Sequence, residues 1–215
     1  MIRDVSSNEL FTVLILFGIA IIAVAKLVAP KRFQNFLYII GNFKYLKIYS
    51  REQKFFDNFD ALLFINLIIS GSIFSFILYQ HATGIKNVDV NFIFKLTVGI
   101  GSFFLIKVLI ERLIGSLFEI DKIMHRYLFQ KISYKNYLGL LLLPLNALLV
   151  FSFKNSLILT YIIIILLLLV NLIGLITSFK THQSLIKSNF FYFILYLCAL
   201  EIAPYIILFK VFNDR

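Results

Sequence analysis

The sequence predicts an all-α fold: a polytopic transmembrane helical bundle of about six spans, with short amphipathic interfacial helices on its cytoplasmic side. Three observations carry this expectation. Hydrophobic residues make up 60% of the 215, and the mean hydropathy is +0.92, whereas a soluble globular domain holds about 45 to 50% apolar residues. The apolar residues gather in runs of about 20, the length that crosses a hydrocarbon core as a helix. The 21 Lys and Arg lie mostly between those runs.

The runs fall over residues 9–29, 61–80, 91–113, 137–153, 156–178 and 189–209, within one membrane domain covering 1–215. Ser6, Ser7 and Asn8 can cap the first, since their side-chain oxygens accept from N–H groups left open at a helix start, and Pro30 stops it. Arg3 ahead of the run and Ala23-Val24-Ala25 near its end resemble a secretory signal, but the bases that follow should stay inside, which argues against cleavage. Asp57 and Asp60 cap the second span. Ser70, Gly71 and Ser72 in the second, Gly99, Gly101 and Ser102 in the third and Gly174 in the fifth are small enough for helices to approach closely. The fourth run is short and contains Pro144. Only Lys154, Asn155 and Ser156 separate it from the fifth, so the pair reads as a tight hairpin, with a re-entrant fourth segment as the alternative. The sixth carries Glu201 and Pro204.

Charge sets the direction. Thirteen bases lie in three loops: Lys31, Arg32, Lys44, Lys47, Arg51 and Lys54; then Arg112, Lys122, Arg126, Lys131 and Lys135; then Lys180 and Lys187. Five, namely Arg3, Lys86, Lys154, Lys210 and Arg215, lie on the opposite side. Lys and Arg are retained on the cytoplasmic side, so the three loops are expected inside and both termini outside a bacterial inner membrane with an anionic inner leaflet. The net charge of +10 therefore points to lipid head groups, and nucleic acid is not expected as a partner.

Two inner loops carry helical periodicity. Phe33, Phe36, Leu37 and Ile40 recur on one face, as do Ile120, Ile123, Met124, Tyr127 and Leu128. Each is expected to lie in the head-group layer with its apolar face in lipid. The helix over 117–131 has no proline to separate it from the third span after Gly115.

Chemistry-bearing motifs are sparse. The chain has no H-E-x-x-H, no G-x-S-x-G, no Gly-rich phosphate loop and no paired Asp-rich repeats, so an enzyme is not the expected reading. The lone Cys198 between Leu197 and Ala199 reads as a small buried hydrophobe. His81, His125 and His182 sit at span edges or in loops, and no metal or cofactor is assigned. What remains is a layer of polar groups inside spans. Asn66, Lys107 and Asn171 lie about 8 to 11 Å from the inner end, Asn146 about 14 Å and Glu201 about 18 Å, from the rise of 1.5 Å per residue. These Asn can bond across helices and Lys107 can pair with Glu111 one turn away, or the groups can line a path for a polar solute. Glu201, with Lys95 and Lys107 as cationic neighbours in depth, is the focus of the second possibility.

The segments Arg51-Glu52-Gln53-Lys54-Phe55-Phe56-Asp57 and Arg126-Tyr127-Leu128-Phe129, with Tyr134, Asn136 and Tyr137-Leu138-Gly139-Leu140-Leu141-Leu142-Leu143-Pro144, suggest a family. With the capped first span, the chain resembles, over nearly its whole length, an inner-membrane family of Bacteroidota known as a domain of unknown function. The resemblance implies location and fold and carries no activity. The expected role is a non-enzymatic integral membrane subunit or scaffold that binds another membrane or envelope protein. The alternative is a small transporter or channel-like protein for an ion or small polar solute. A third possibility, an enzyme on a lipid-linked substrate, would use His125, Arg126 and His182 at the inner interface.

Overall fold

The computed structural model describes residues 9–40, 45–46, 48–49, 57–84, 90–117, 121–153 and 156–181. Six α-helices of eight residues or more lie among them: α1 (Glu9–Val28), α2 (Pro30–Leu37), α3 (Asn58–Thr83), α4 (Val90–Leu117), α5 (Asp121–Ala147) and α6 (Leu157–Thr181). A π-helical turn, Leu148–Ser152, extends α5. All but α2, with α5 taken together with its π turn, are long and apolar enough to cross a membrane. The chain is an all-α membrane bundle. The expected span at 189–209 lies outside the described residues.

The bundle is arranged around α3. Asp57 starts this helix from extended backbone (φ −94°, ψ 152°), and its carboxylate accepts from the Asn58 N–H at 2.8 Å. Gly84 ends it in the left-handed region at φ 71°, its N–H donating to the Gln80 carbonyl. Side-chain contacts fix the direction of every neighbour. Phe11 meets Phe76 and Gly18 meets Asn66, so α1 runs antiparallel to α3. Ile68 faces Gly101 and Phe64 faces Phe104, so α4 is antiparallel too. Asn136 donates to the Asp60 carbonyl at 3.3 Å and Asn146 to the Ser70 carbonyl at 2.8 Å, which makes α5 parallel to α3 in one register. Finally α6 returns along α5, with Thr160 beside His81 at one end and Gly174 against Tyr134 further along.

The α3–α5 contact is the tightest. A Cβ added at Gly139 would stand 2.5 Å from Leu67 Cα, so the two backbones touch there and only glycine fits. Dispersion over such close contacts holds helices together in lipid, where burying apolar surface against another apolar medium gains little. Small residues elsewhere do other work. Gly71 and Gly99 meet nothing within 4 Å and do not mark a helix crossing, whereas Gly18 does, although the sequence singled out the former pair.

The fourth span departs from its expected limits. Residues 121–131 run without interruption into it as the first turns of α5, so the helix expected over 117–131 continues the fourth span rather than the third. Pro144 sits inside α5 and cannot donate to the carbonyl of Leu140. The π turn follows within one helical turn, closed by the Phe153 N–H donating to the Leu148 carbonyl at 2.9 Å. The start of α6 lies at the His81 end of α3, so α5 and its π turn run alongside α3 to that end.

Burial divides the helices. In α3, 61% of the span window is buried, against 17% in α4 and 22% in α6. The outer faces of α4 and α6 are rows of exposed Leu and Ile such as Leu109, Leu113, Ile158 and Ile165. Such surface suits acyl chains as solvent. Two cores fill the interior: Phe11, Ile15, Ile73, Phe76 and Leu149 towards the His81 end, and Phe33, Phe36, Tyr45, Phe59 and Phe129 towards α2.

Candidate functional site

The α2 end holds the densest polar construction among the described residues. Alone, α2 is too short to be stable in water, and its N-cap Ala29 makes no side-chain capping bond. Pro30 presets its first turn, and Arg32, Phe33 and Phe36 then face inward. Arg32 Nη1 donates to Asp57 Oδ2 at 2.6 Å, Nη2 to Asp60 Oδ2 at 2.8 Å and Nε to the Tyr45 hydroxyl at 3.4 Å. Its guanidinium lies 4.6 Å above the Phe59 ring and 5.2 Å from that of Tyr49. Phe36 meets Tyr45, Phe59 and Tyr137 edge to face, and Tyr45 stacks on Phe129. One side chain thus ties α2, the 45–49 segment and the head of α3 together against α5.

Local sequence explains the geometry. Asp57 and Asp60 stand three residues apart at the start of a helix, so both carboxylates are on one side of its first turn, where the macrodipole also favours negative charge. Their exposures differ: the Asp57 side chain is 51% exposed and that of Asp60 8%. Burial would lower the Arg32 pKa, but the Tyr45 oxygen, Asp60 and Asp57 outweigh it and raise it above its ordinary value, so the guanidinium stays charged. Burial pushes the Tyr45 hydroxyl above the usual phenol range, and the negative charge of Asp60 acts in the same direction. Tyr45 is a neutral phenol here. Since Nε, Nη1 and Nη2 of Arg32 each have a protein acceptor, the arrangement holds chain segments and presents no open guanidinium edge to a substrate.

A second buried pair lies between α4 and α5. Lys131 Nζ donates to Glu111 Oε1 at 2.5 Å, and Glu111 is fully buried. Lys131 also approaches the Tyr127 ring at 5.7 Å, and Lys135 the Phe104 ring at 4.6 Å. Lys107, one turn before Glu111 on the same face of α4, is buried as well. A third polar group runs along the α3–α5 seam as Asn66, Ser70, Asn136 and Asn146, all buried.

The sequence-derived residues separate accordingly. Asn66, Asn146 and Lys107 are inside the bundle, whereas Lys95 and Asn171 are on its exposed surface, so these residues do not form one layer around a common space. Glu201, Ile120, Cys198 and His182 lie outside the described residues. Phe33, Phe36 and Tyr127 are in the protein core and do not face lipid as their periodicity suggested. An apolar helix face reports that it needs an apolar medium; here the rings of Phe59, Tyr137 and Phe129 supply it for α2. Arg32, Tyr45 and Asp60 were not singled out as a site, although two Asp three apart behind an aromatic, basic loop are a legible signal. Among the described residues no group of three or more His, Cys, Asp or Glu could hold a metal ion.

No curated protein and no solved structure matches the chain. A family model does, over residues 11–212, a stretch that includes every described helix contributing to the clamp, the Glu111–Lys131 pair and the α3–α5 seam; the chain belongs to the family described as Domain of unknown function (DUF4271).

Proposed function

We propose that the protein is a non-enzymatic subunit of the inner membrane that scaffolds another envelope protein, with the α2 end on the cytoplasmic side. The Arg32 clamp carries this reading. Three hydrogen bonds, two of them to carboxylates, fix a helix of eight residues whose outward face is Lys31, Gln34, Leu37 and Tyr38. A surface held rigid in this way loses little conformational freedom when a partner binds. Orientation follows the charge asymmetry of the sequence, thirteen bases in the three segments expected inside against five in those expected outside. In a Cys198→Ser background, a cysteine in place of Lys31 should resist an impermeant maleimide in spheroplasts; labelling from outside would reverse the placement.

A photo-crosslinking residue at Tyr38, 70% exposed, tests the scaffold role against one at Tyr161, 62% exposed on α6. A protein adduct of fixed mass should form at Tyr38, be absent at Tyr161 and disappear in Arg32→Gln while the bundle still folds. Absence of any protein adduct at Tyr38, with thermal shifts of the purified monomer on adding a solute, would replace the scaffold by a carrier.

One observation favours that second reading, a small transporter or channel-like protein: the ion pair Glu111–Lys131 with Lys107 beside it inside apolar helices, since buried intramembrane charge is costly to keep. Glu111→Gln separates the two. A packing role predicts lowered thermal stability at unchanged ion permeability of vesicles; a transport role predicts lost flux in a protein that still assembles.

A further inference from the structure

Asn66, Ser70 and Asn146 lie on consecutive turns of the seam where α1 and α5 pack on the middle of α3. Asn66 is fully buried, and neither its Oδ1 nor its Nδ2 has a hydrogen-bond partner among the described residues. One turn along α3, the buried Ser70 hydroxyl has none either. The Ser70 carbonyl accepts from Asn146 Nδ2 at 2.8 Å, which brings the open Asn146 Oδ1 to the adjoining turn of α3. An amide left dry in this way loses its hydration with nothing in exchange, and native interiors rarely leave such groups unanswered.

The inventory of open atoms says what answers them. Asn66 Oδ1 and Asn146 Oδ1 call for a donor, while Asn66 Nδ2 and the Ser70 hydroxyl call for an acceptor. A bare cation would satisfy only the oxygens and an anion only the N–H and O–H groups. Water satisfies both sets at once, and a buried water makes about three such bonds. We propose that the α1–α3–α5 crossing binds ordered water through Asn66, Ser70 and Asn146. At the level between Asn66 and Ser70, Gly139 packs on the backbone of Leu67, where an added Cβ would stand 2.5 Å from Leu67 Cα. On the α1 side Gly18 fits against Asn66 and Leu143 so closely that an added Cβ would lie 2.6 Å from Leu143 Cδ1. The bound water is therefore a structural component of the bundle, held where α1 and α5 close on α3.

X-ray hydroxyl-radical footprinting of the purified full chain in nanodiscs tests this, because radiolysis activates bound water in place. Leu143, beside Asn66, should be labelled several-fold faster than the equally inaccessible Ile73. Asn66→Leu should abolish that labelling and lower Tm, and Ser70→Ala should weaken it. Labelling of Leu143 no faster than Ile73 in the wild-type chain would overturn the site, whether or not the variants fold. A higher Tm for Asn66→Leu would show a dry, unsatisfied amide instead. A wild-type Tm that rises in sodium over choline chloride, and no longer does so in Asn66→Leu, would overturn water in favour of a cation.

Discussion

Replacing Arg32 by Met keeps the stem that packs on Phe59 and removes the charge. The two carboxylates it leaves are not equivalent. Asp57 is half-exposed, so its pairing contributes under about 1 kcal/mol after solvent screening. The Asp60 side chain is 8% exposed, and removing the partner of a buried charge costs about 3 to 5 kcal/mol. Loss of the guanidinium above the Phe59 ring adds about 1 kcal/mol. The sum is about 4 to 7 kcal/mol, and a chain of this size loses about 2 to 4 °C of Tm per kcal/mol, so a drop of about 8 °C or more is expected. Thermal unfolding in mild detergent, followed by intrinsic tyrosine fluorescence or by aggregation, reads it. Asp57→Asn should stay close to wild type, Asp60→Asn should fall well below it, and the double variant Arg32→Met/Asp60→Leu should recover much of the loss because no buried charge remains. An Arg32→Met Tm within about 1 °C of wild type, or Asp57→Asn costing more than Asp60→Asn, would refute the assignment of the clamp's strength to burial of the Arg32–Asp60 pair.

Gly139→Ala should destabilise by about 1 to 3 kcal/mol, since the new methyl meets Leu67 backbone that cannot step aside, whereas Gly99→Ala, with nothing within 4 Å, should be neutral or gain up to about 1 kcal/mol of helix propensity. Equal Tm changes for the two would mean that the α3–α5 contact is looser than backbone to backbone. Alkaline stability follows from Tyr45, which lies outside the spans and whose pKa is raised by burial. The fold holds this proton past the pH at which the unfolded chain releases it, so the stabilisation is whole below about pH 10 and is lost as pH rises from there through the folded-state value. Tyr45→Phe, which cannot titrate, should therefore lose less stability than wild type between pH 9.5 and about 11; parallel curves would show that the phenol is not held protonated by the fold.

What could be read from the sequence was set by quantities that add along a segment. Span length and apolar content are of this kind, and so is Asp57 as a cap, because its carboxylate bonds to the very next N–H. Quantities that depend on which segments meet were not readable in the same way. The faces of Phe33, Phe36 and Tyr127 were correctly apolar, but lipid and a neighbouring helix are indistinguishable to a periodicity argument. Glu111 had two lysines to choose from: Lys107 one turn away on α4, and Lys131, which is close only because α4 and α5 are antiparallel neighbours. Asn171 shares the depth class of the buried Asn66 and Lys107 yet stands on an exposed face, since depth from rise per residue fixes height and leaves rotation about the helix axis open.

Rotation was nevertheless encoded in one place. Asp60 and Ser70 are ten residues apart on α3, and Asn136 and Asn146 are ten apart on α5; the bonds between them both join residues separated by 76 positions. The acceptors are main-chain carbonyls, which every turn of α3 offers, so the spacing of the two Asn fixes which face of α5 meets α3, while the parallel direction follows from the order of the two contacts. Gly139 lies between the two amides and lets the backbones close to the distance at which an Asn side chain reaches a carbonyl of the facing helix. The two Asn and the intervening glycine thus serve a single requirement: each amide must find an acceptor where water from the bulk cannot reach it.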